Sequence, residues 1–220
     1  LPPLGDPARQ SAAAQVGGLL MDWGDFWQHV QTYLELAAAA LAAGGAIGIP
    51  LGVLASHEPR ARAPVLIAAN VGRVIPSLAV LTFMLPLFGV GFAPALAALA
   101  LLVIPPIAIN TDLGFRGVPA AAIDAARGLG MTPRQMFARV EWPLAFPVLF
   151  AGVRTAATEV IASAVLAAFI GAGGLGEYIT TGLQANQPRL LWLGVGSIVA
   201  IALAAEFGLA FTQRRLEVRT

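Results

Sequence analysis

Residues 94–115 read PALAALALLVIPPIAINTDLGF. No charged side chain interrupts the stretch before Asp112. Roughly 20 mostly apolar residues suffice to cross a bilayer as a helix. Pro105 and Pro106 stand in its middle. In water such a pair argues against a helix. Inside a membrane bundle, neighbouring helices and waters satisfy the carbonyls that proline leaves free. The stretch therefore reads as a membrane span.

Four further blocks have the same character: about Tyr33–Ala55, Pro64–Phe88, Leu144–Ile170 and Leu190–Thr212. Prolines 50, 76, 86 and 147 lie within them. The abundance of Gly and Ala allows close helix approach. Apolar residues make up 58% of the chain and charged residues 11%, against roughly a quarter charged in a soluble domain. Such a surface suits lipid. The expectation is an all-α integral membrane protein of about five transmembrane helices, forming one domain over residues 33–212. An external or interfacial segment (1–32) precedes it and a cytoplasmic tail (213–220) follows.

Several chemistries are excluded. There is no cysteine, hence no disulfide, thiolate site or cysteine nucleophile. His29 and His57 lie far apart, so no histidine metal site is expected. The chain has no lysine and no G-x-x-x-x-G-K-[ST] loop, so any ATP hydrolysis belongs to another polypeptide. A net charge of +1 without a basic run gives no reason to expect nucleic acid.

All thirteen basic residues are arginine. Arg60 and Arg62 follow the first block, and Arg116, Arg127, Arg134 and Arg139 lie between the third and fourth. Arg214, Arg215 and Arg219 end the chain, while the opposite side holds Arg9 and Arg189. The positive-inside rule places the N-terminus outside and the C-terminus in the cytoplasm. In the first segment, Trp23, Phe26, Trp27, Val30 and Tyr33 recur at helical spacing. They read as an interfacial helix on the membrane surface.

The segment from Gly117 to Pro143 is too polar for the bilayer and too long for a turn. Ala120–Gly128 is rich in helix formers, with Pro119 before it and Gly130 placed to stop it. Thr132 and Pro133 then suit the cap and first position of a second helix. Ile123, Leu129, Met131, Met136 and Phe137 cannot all be buried in so short a helix–turn–helix. An exposed apolar knob of this kind suggests a protein docking site.

Asp124-Ala125-Ala126, Gly130, Val140, Trp142 and Pro143 carry a resemblance. They are similar to the loop of binding-protein-dependent ABC importer permeases, with Asp for Glu, Val for Ile and Trp for Leu. The spacing is intact. Asn70-Val71, Ile75-Pro76-Ser77-Leu78-Ala79, Ala125–Pro133, Ala151–Ala156 and Leu166–Gly176 resemble the glycine betaine, carnitine and choline permeases. The resemblance implies the type I permease fold, a multi-pass protein of the bacterial inner membrane. It also implies two cytoplasmic ATPases holding ATP and Mg, a second permease (identical or homologous) and an external solute-binding protein. The loop would be a coupling helix, with Ala121, Asp124, Ala125, Ala126, Gly128, Leu129, Gly130 and Met131 meeting the ATPase. The implied solute is a quaternary ammonium osmoprotectant; ergothioneine and amino acid permeases share parts of the pattern. No cofactor is expected in this chain.

Gly171, Gly173 and Gly176 satisfy G-x-G-x-x-G, with Gly174 at one of its free positions. That motif binds dinucleotides only between a strand and a helix, and here it ends an apolar helix. A flexible external turn is the expectation. Ionisable residues within spans are functional candidates. Arg73, Arg154 and Glu159 qualify, with Glu206 at a block's end. Depth counting suggests an Arg73–Glu159 pair between helices. Asn70, Pro76, Ser77, Met84 and Phe169 complete the candidate pathway or gate. A secondary transporter or channel without an ATPase is the rival from another class. No clear internal repeat supports it.

Overall fold

The structure is a computed structural model and describes residues 23–217. Most of the expected external segment and the last three residues of the tail lie outside the described residues. The helices are α1 (Trp23–His57), α2 (Pro59–Val74), α3 (Ser77–Phe88), α4 (Phe92–Arg116), α5 (Ala120–Gly128) and α6 (Pro133–Met136). A π-helical turn (Phe137–Glu141) leads into α7 (Trp142–Ala164). A 3-10 segment (Val165–Ile170), α8 (Gly176–Gln184) and α9 (Pro188–Glu217) follow. No strand occurs among the described residues.

The chain is an all-helical membrane bundle. Helices α1, α4 and α9 and the stretch 133–170 around α7 are each long and apolar enough to cross a bilayer. The second block is not one rod: α2 and α3 meet at a bend of 100° and together make the fifth candidate span. Pro76 causes the break. It has no N–H for a helical bond, and it pushes the preceding residue out of helical geometry. Ile75 accordingly sits at φ −73°, ψ 123°. The aromatic residues from Trp23 to Tyr33 form no separate surface helix; they are the first turns of α1.

Helix α4 is the axis, packed between α1 and α7. Leu99, Val103 and Ile107 of α4, Leu36 and Ala40 of α1, and Ala156 and Val160 of α7 share one buried core. The close approach comes from glycine. A Cβ on Gly44 would stand 2.6 Å from Val103 Cγ1, one on Gly48 3.0 Å from Ile104 O, and one on Gly52 2.5 Å from Ala108 O. These glycines recur every fourth residue and so form a single stripe on α1. On the other side of α4, a Cβ on Gly114 would stand 2.7 Å from Ala145 O of α7. A Cβ on Gly152 of α7 would stand 2.5 Å from Asn110 Cβ of α4. In lipid, where apolar burial gives little driving force, such close backbone packing holds helices together. Tyr33 O–H adds a buried bond to the Ile161 carbonyl, tying α1 to α7.

Gly208, with nothing within 4 Å of its Cβ position, is a control in the helical interior of α9. Gly52→Val should destabilise the detergent-solubilised protein by about 3 kcal/mol or more, because the added atoms meet α4 backbone. Gly208→Ala should be neutral or stabilise by about 0.5–1 kcal/mol. Thermal unfolding monitored by helical circular dichroism distinguishes the two.

Candidate functional site

The hairpin of α5 and α6 projects from the end of the bundle where α4 stops and α7 starts. Its turn is built by local chemistry. Gly130 sits at φ 72°, in the left-handed region that favours glycine. Its N–H donates to Arg127 O at 2.9 Å, and Met131 N–H donates to Ala126 O at 3.1 Å. That pair of bonds closes α5 as a Schellman motif. Thr132 opens α6 with a capping box: Gln135 N–H donates to Thr132 Oγ1 at 3.4 Å, and Thr132 N–H to Gln135 Oε1 at 2.9 Å.

The hairpin is anchored from one face. Ile123, Phe137 and Trp142 pack on the buried Phe115, Val118, Ala145 and Leu149. Ala126 points into the fold and Met131 is half-buried. The other face is open: Ala121, Asp124, Ala125, Gly128, Leu129 and Gly130 are exposed. Leu129 is 77% exposed at the tip, and Asp124 pairs loosely with Arg127 at 3.5 Å. The surface is apolar at its tip, with the small residues Ala121, Ala125, Gly128 and Gly130 and the exposed Arg127 beside it, which suits insertion into a groove that also meets a positive charge.

A second polar feature lies at membrane depth. Arg154 of α7 donates to Glu206 of α9 and, at 2.9 Å, to Gln213. Thr158 Oγ1 donates to Glu206 Oε2 at 3.2 Å. With Thr155, Glu159 and Ala162 these residues line an open cleft. Arg154 is about 18 Å along α7 from Trp142 at 1.5 Å per residue, inside a stretch long and apolar enough to cross a bilayer, and its bond to Gln213 ties it to the arginine-rich end of α9. The side chains of Arg154 and Glu206 remain 31% and 37% exposed. Charges at this depth persist only against protein or water.

The sequence expectation paired Arg73 with Glu159. No direct ion pair joins them among the described residues, but the Arg73 guanidinium lies near enough for its charge to act on the Glu159 carboxyl; the direct contact is Arg154 with Glu206. Arg73 is exposed on α2. Asn70 donates to Leu66 O in its own helix at 2.8 Å. Pro76 makes the bend with Ser77 starting α3. Met84 is buried and lines an apolar cavity of about 820 Å³ with Gly72, Phe83 and Pro105. Phe169 is 63% exposed on the 3-10 segment. The expected pathway residues are thus split between the α7–α9 cleft, the crook of the bent span and the bundle's far end.

At that far end, Gly171, Gly173 and Gly174 adopt φ 74°, 78° and 83°. The turn is packed rather than loose: Leu175 is fully buried and a Cβ on Gly174 would lie 3.3 Å from Tyr33. Gly176 seats against the Val165 carbonyl. Beside the turn, His29 Nδ1 donates to Asp25 O at 2.8 Å and Nε2 donates to Glu177 Oε2 at 3.0 Å. Tyr178 O–H donates to Asp25 Oδ2 at 2.9 Å.

Residues 48–218 match the family described as the binding-protein-dependent transport system inner membrane component. The chain belongs to this family. The permease is 40% identical over 190 residues to the carnitine transport permease protein OpuCB of Listeria monocytogenes, covering 86% of this chain and 85% of that one. It is 36% identical over 193 residues to the choline transport system permease protein OpuBB of Bacillus subtilis, covering 88% and 89%. Its fold matches the inward-facing MetNI methionine ABC transporter with a TM-score of 0.78 at 23% identity, covering 89% of the permease and 99% of that chain.

Sequence reasoning missed three features of the permease. The Gly44, Gly48 and Gly52 stripe was readable from its spacing. Asp112, buried with Arg62 Nε 3.6 Å from its carboxylate, stood out as an acid within a span. The links of His29 to Glu177 and of His57 to Glu141 carried no local signal. No group of three or more His, Asp or Glu among the described residues is placed to hold a metal ion.

Burial pulls the His29 imidazolium toward neutrality, but its hydrogen bonds and the charges of Asp25 and Glu177 outweigh this, so its pKa is raised above 6.5. A raised folded-state pKa gives stability that is fully present below pH 6.5 and is lost as pH rises through the folded value. The melting temperature of the native permease should exceed that of His29→Gln at acidic pH, with the gap closing toward alkaline pH. A gap that is constant with pH would refute the link.

Proposed function

We propose that this permease forms the membrane path of an importer driven by a separate ATPase, and that its solute is a quaternary ammonium osmoprotectant. The observation that carries the reading is the α5–α6 hairpin, anchored on one face and open on the other, with the spacing of its motif intact. A docking knob of this kind has a use only if a partner moves it. The chain has no lysine and no phosphate-binding loop, so the partner supplies the ATP chemistry and the Mg ion. Two ATPases would each grip one hairpin of a permease pair through Ala121, Asp124, Ala125, Gly128, Leu129 and Gly130. Ala126 and Met131 support the tip from within.

The arginine-rich hairpin end is the cytoplasmic end in this reading, and the Gly171–Gly176 turn faces outward, where a solute-binding protein delivers its cargo. The polar cleft of α7 and α9 supports a second permease. Its charges at membrane depth need protein or water against them, and a path between two such chains offers both. Arg154 and Glu159 then border the path, with Arg73, Pro76 and Ser77 on the neighbouring bent span. The solute class rests on the relatives named for carnitine and choline transport.

The test is uptake of labelled choline, carnitine and glycine betaine into vesicles holding the permease, its ATPase and its binding protein. Uptake should require ATP and binding protein together. Uptake indifferent to ATP would point instead to a channel or secondary transporter. Leu129→Asp should leave the permease folded, since Leu129 is exposed. It should weaken ATPase binding by about tenfold or more, because burial of a leucine contributes roughly 1.5–3 kcal/mol.

A further inference from the structure

His57 is the last residue of α1, and its imidazole meets two other parts of the chain, the end of α4 and the π-helical turn. Nε2 donates to Glu141 Oε2 at 2.9 Å. The ring stands edge-on to Phe115 of α4, with centroids 5.6 Å apart, and tilts against Phe137 at 6.1 Å. Nδ1 lies 2.9 Å from Ser56 Oγ in its own helix. Phe115 and Phe137 stack at 5.4 Å and 7°, and Trp142 closes the cluster at about 6 Å from each.

The chain positions of these partners matter. Phe115 stands where α4 gives way to the hairpin, and Phe137 and Glu141 bound the π-helical turn that leads out of it. Helices α4 and α7 are joined to the hairpin by the backbone itself. Helix α1 is not; it ends about sixty residues before the hairpin begins, and only side-chain contacts reach across. Glu141 is held at 13% exposure, so its carboxylate is aimed at His57 and not loose in solvent. Single-turn π segments in helices frequently mark functional positions. Two residues after His57, α2 begins at Pro59, so whatever displaces His57 also displaces the start of the bent span.

We propose that His57 is a positioning residue for transport: the joint through which movement of the α5–α6 hairpin reaches α1 and the start of α2. This rests on the importer reading above. Through the Glu141 carboxylate and the Phe115–Phe137 stack, a pull on the hairpin is applied to the end of α1 directly. The glycine stripe already carries the middle of α1 with α4; the joint extends that grip to the end of α1 beyond Gly52 and so to the start of α2. Without the joint the hairpin would still dock and the ATPase would still turn over, but the stroke would be divided.

The test uses the complete complex in vesicles, with ATP hydrolysis and solute uptake measured together. His57→Ala should keep hydrolysis within about twofold of native while uptake falls about tenfold, the scale of losing a hydrogen bond to a charged group. His57→Gln, which keeps a donor for Glu141, should restore much of the uptake. The chain has no cysteine, so His57→Cys with Glu141→Cys can be bridged by a bis-methanethiosulfonate linker. The bridge should restore uptake per ATP and a reductant should abolish it. Equal falls in hydrolysis, uptake and melting temperature would reduce His57 to a structural pin and overturn the proposal; so would an unchanged ratio of uptake to hydrolysis in His57→Ala. A native complex with no ATP-driven uptake would instead overturn the importer reading itself.

Discussion

The bundle depends on backbone meeting backbone along α4. The two helices that pack most extensively on it do so where one partner has given up a side chain: Gly44, Gly48 and Gly52 from α1, Gly152 from α7, and Gly114 from α4 itself. In water, a larger apolar interface would do as well, because burial alone drives association. In lipid the tails are as apolar as leucine, and what distinguishes the packed state is the density of short contacts. Three glycines in one stripe also fix where α1 sits along α4, since a slip would drive Val103 or Ile107 off its glycine and onto a residue that carries a side chain.

The polar residues at depth divide by whether the single chain satisfies them. Asp112 is enclosed between α4 and the start of α2, with Arg62 Nε 3.6 Å away and no hydrogen bond to either carboxylate oxygen. A pair so placed gives little net stability, because desolvation offsets the attraction. It does specify how the start of α2 meets α4. Arg154 and Glu206 are well bonded to each other yet remain partly open on the chain's surface. The first pair belongs to the fold of one chain. The second would face a neighbouring permease in the proposed assembly.

Length, apolar content and proline tolerance were readable because they follow from the solvent: lipid demands long helices and forgives proline. The hairpin was readable because its signals are local. Gly130, Thr132 and Gln135 act on backbone groups within a few residues, and each does in the structure what its chemistry implies. What could not be read was azimuth. Counting residues from a helix end gives depth, and depth placed Arg73 level with Glu159, whose carboxyl does feel the Arg73 charge. It says nothing of which way a side chain faces, and Arg154 found Glu206 on a helix whose rotation only tertiary packing sets. Pro76 was readable as an interruption, but a 100° bend instead of a mild kink depends on the surroundings. The histidine links join residues 84 and 148 positions apart, and no local pattern encodes them.

Helix α1 is held in an unusual way as a result. Its middle is locked to α4 by the glycine stripe. Its two ends lie beyond the stripe and are each fastened by a histidine to a connection between other helices: His29 to Glu177 in α8, His57 to Glu141 in the π-helical turn. A helix gripped at three points transmits displacement with little bending. The bent span beside it is the opposite case. Its two halves join through extended Ile75, an apolar cavity of about 820 Å³ lies in the crook, and their buried residues are Ala69, Leu81 and Met84 alone, so it is packed far more sparsely than α1. A stiff helix and a hinged span share the junction at His57–Pro59, and that places the working difference between them at the base of the hairpin.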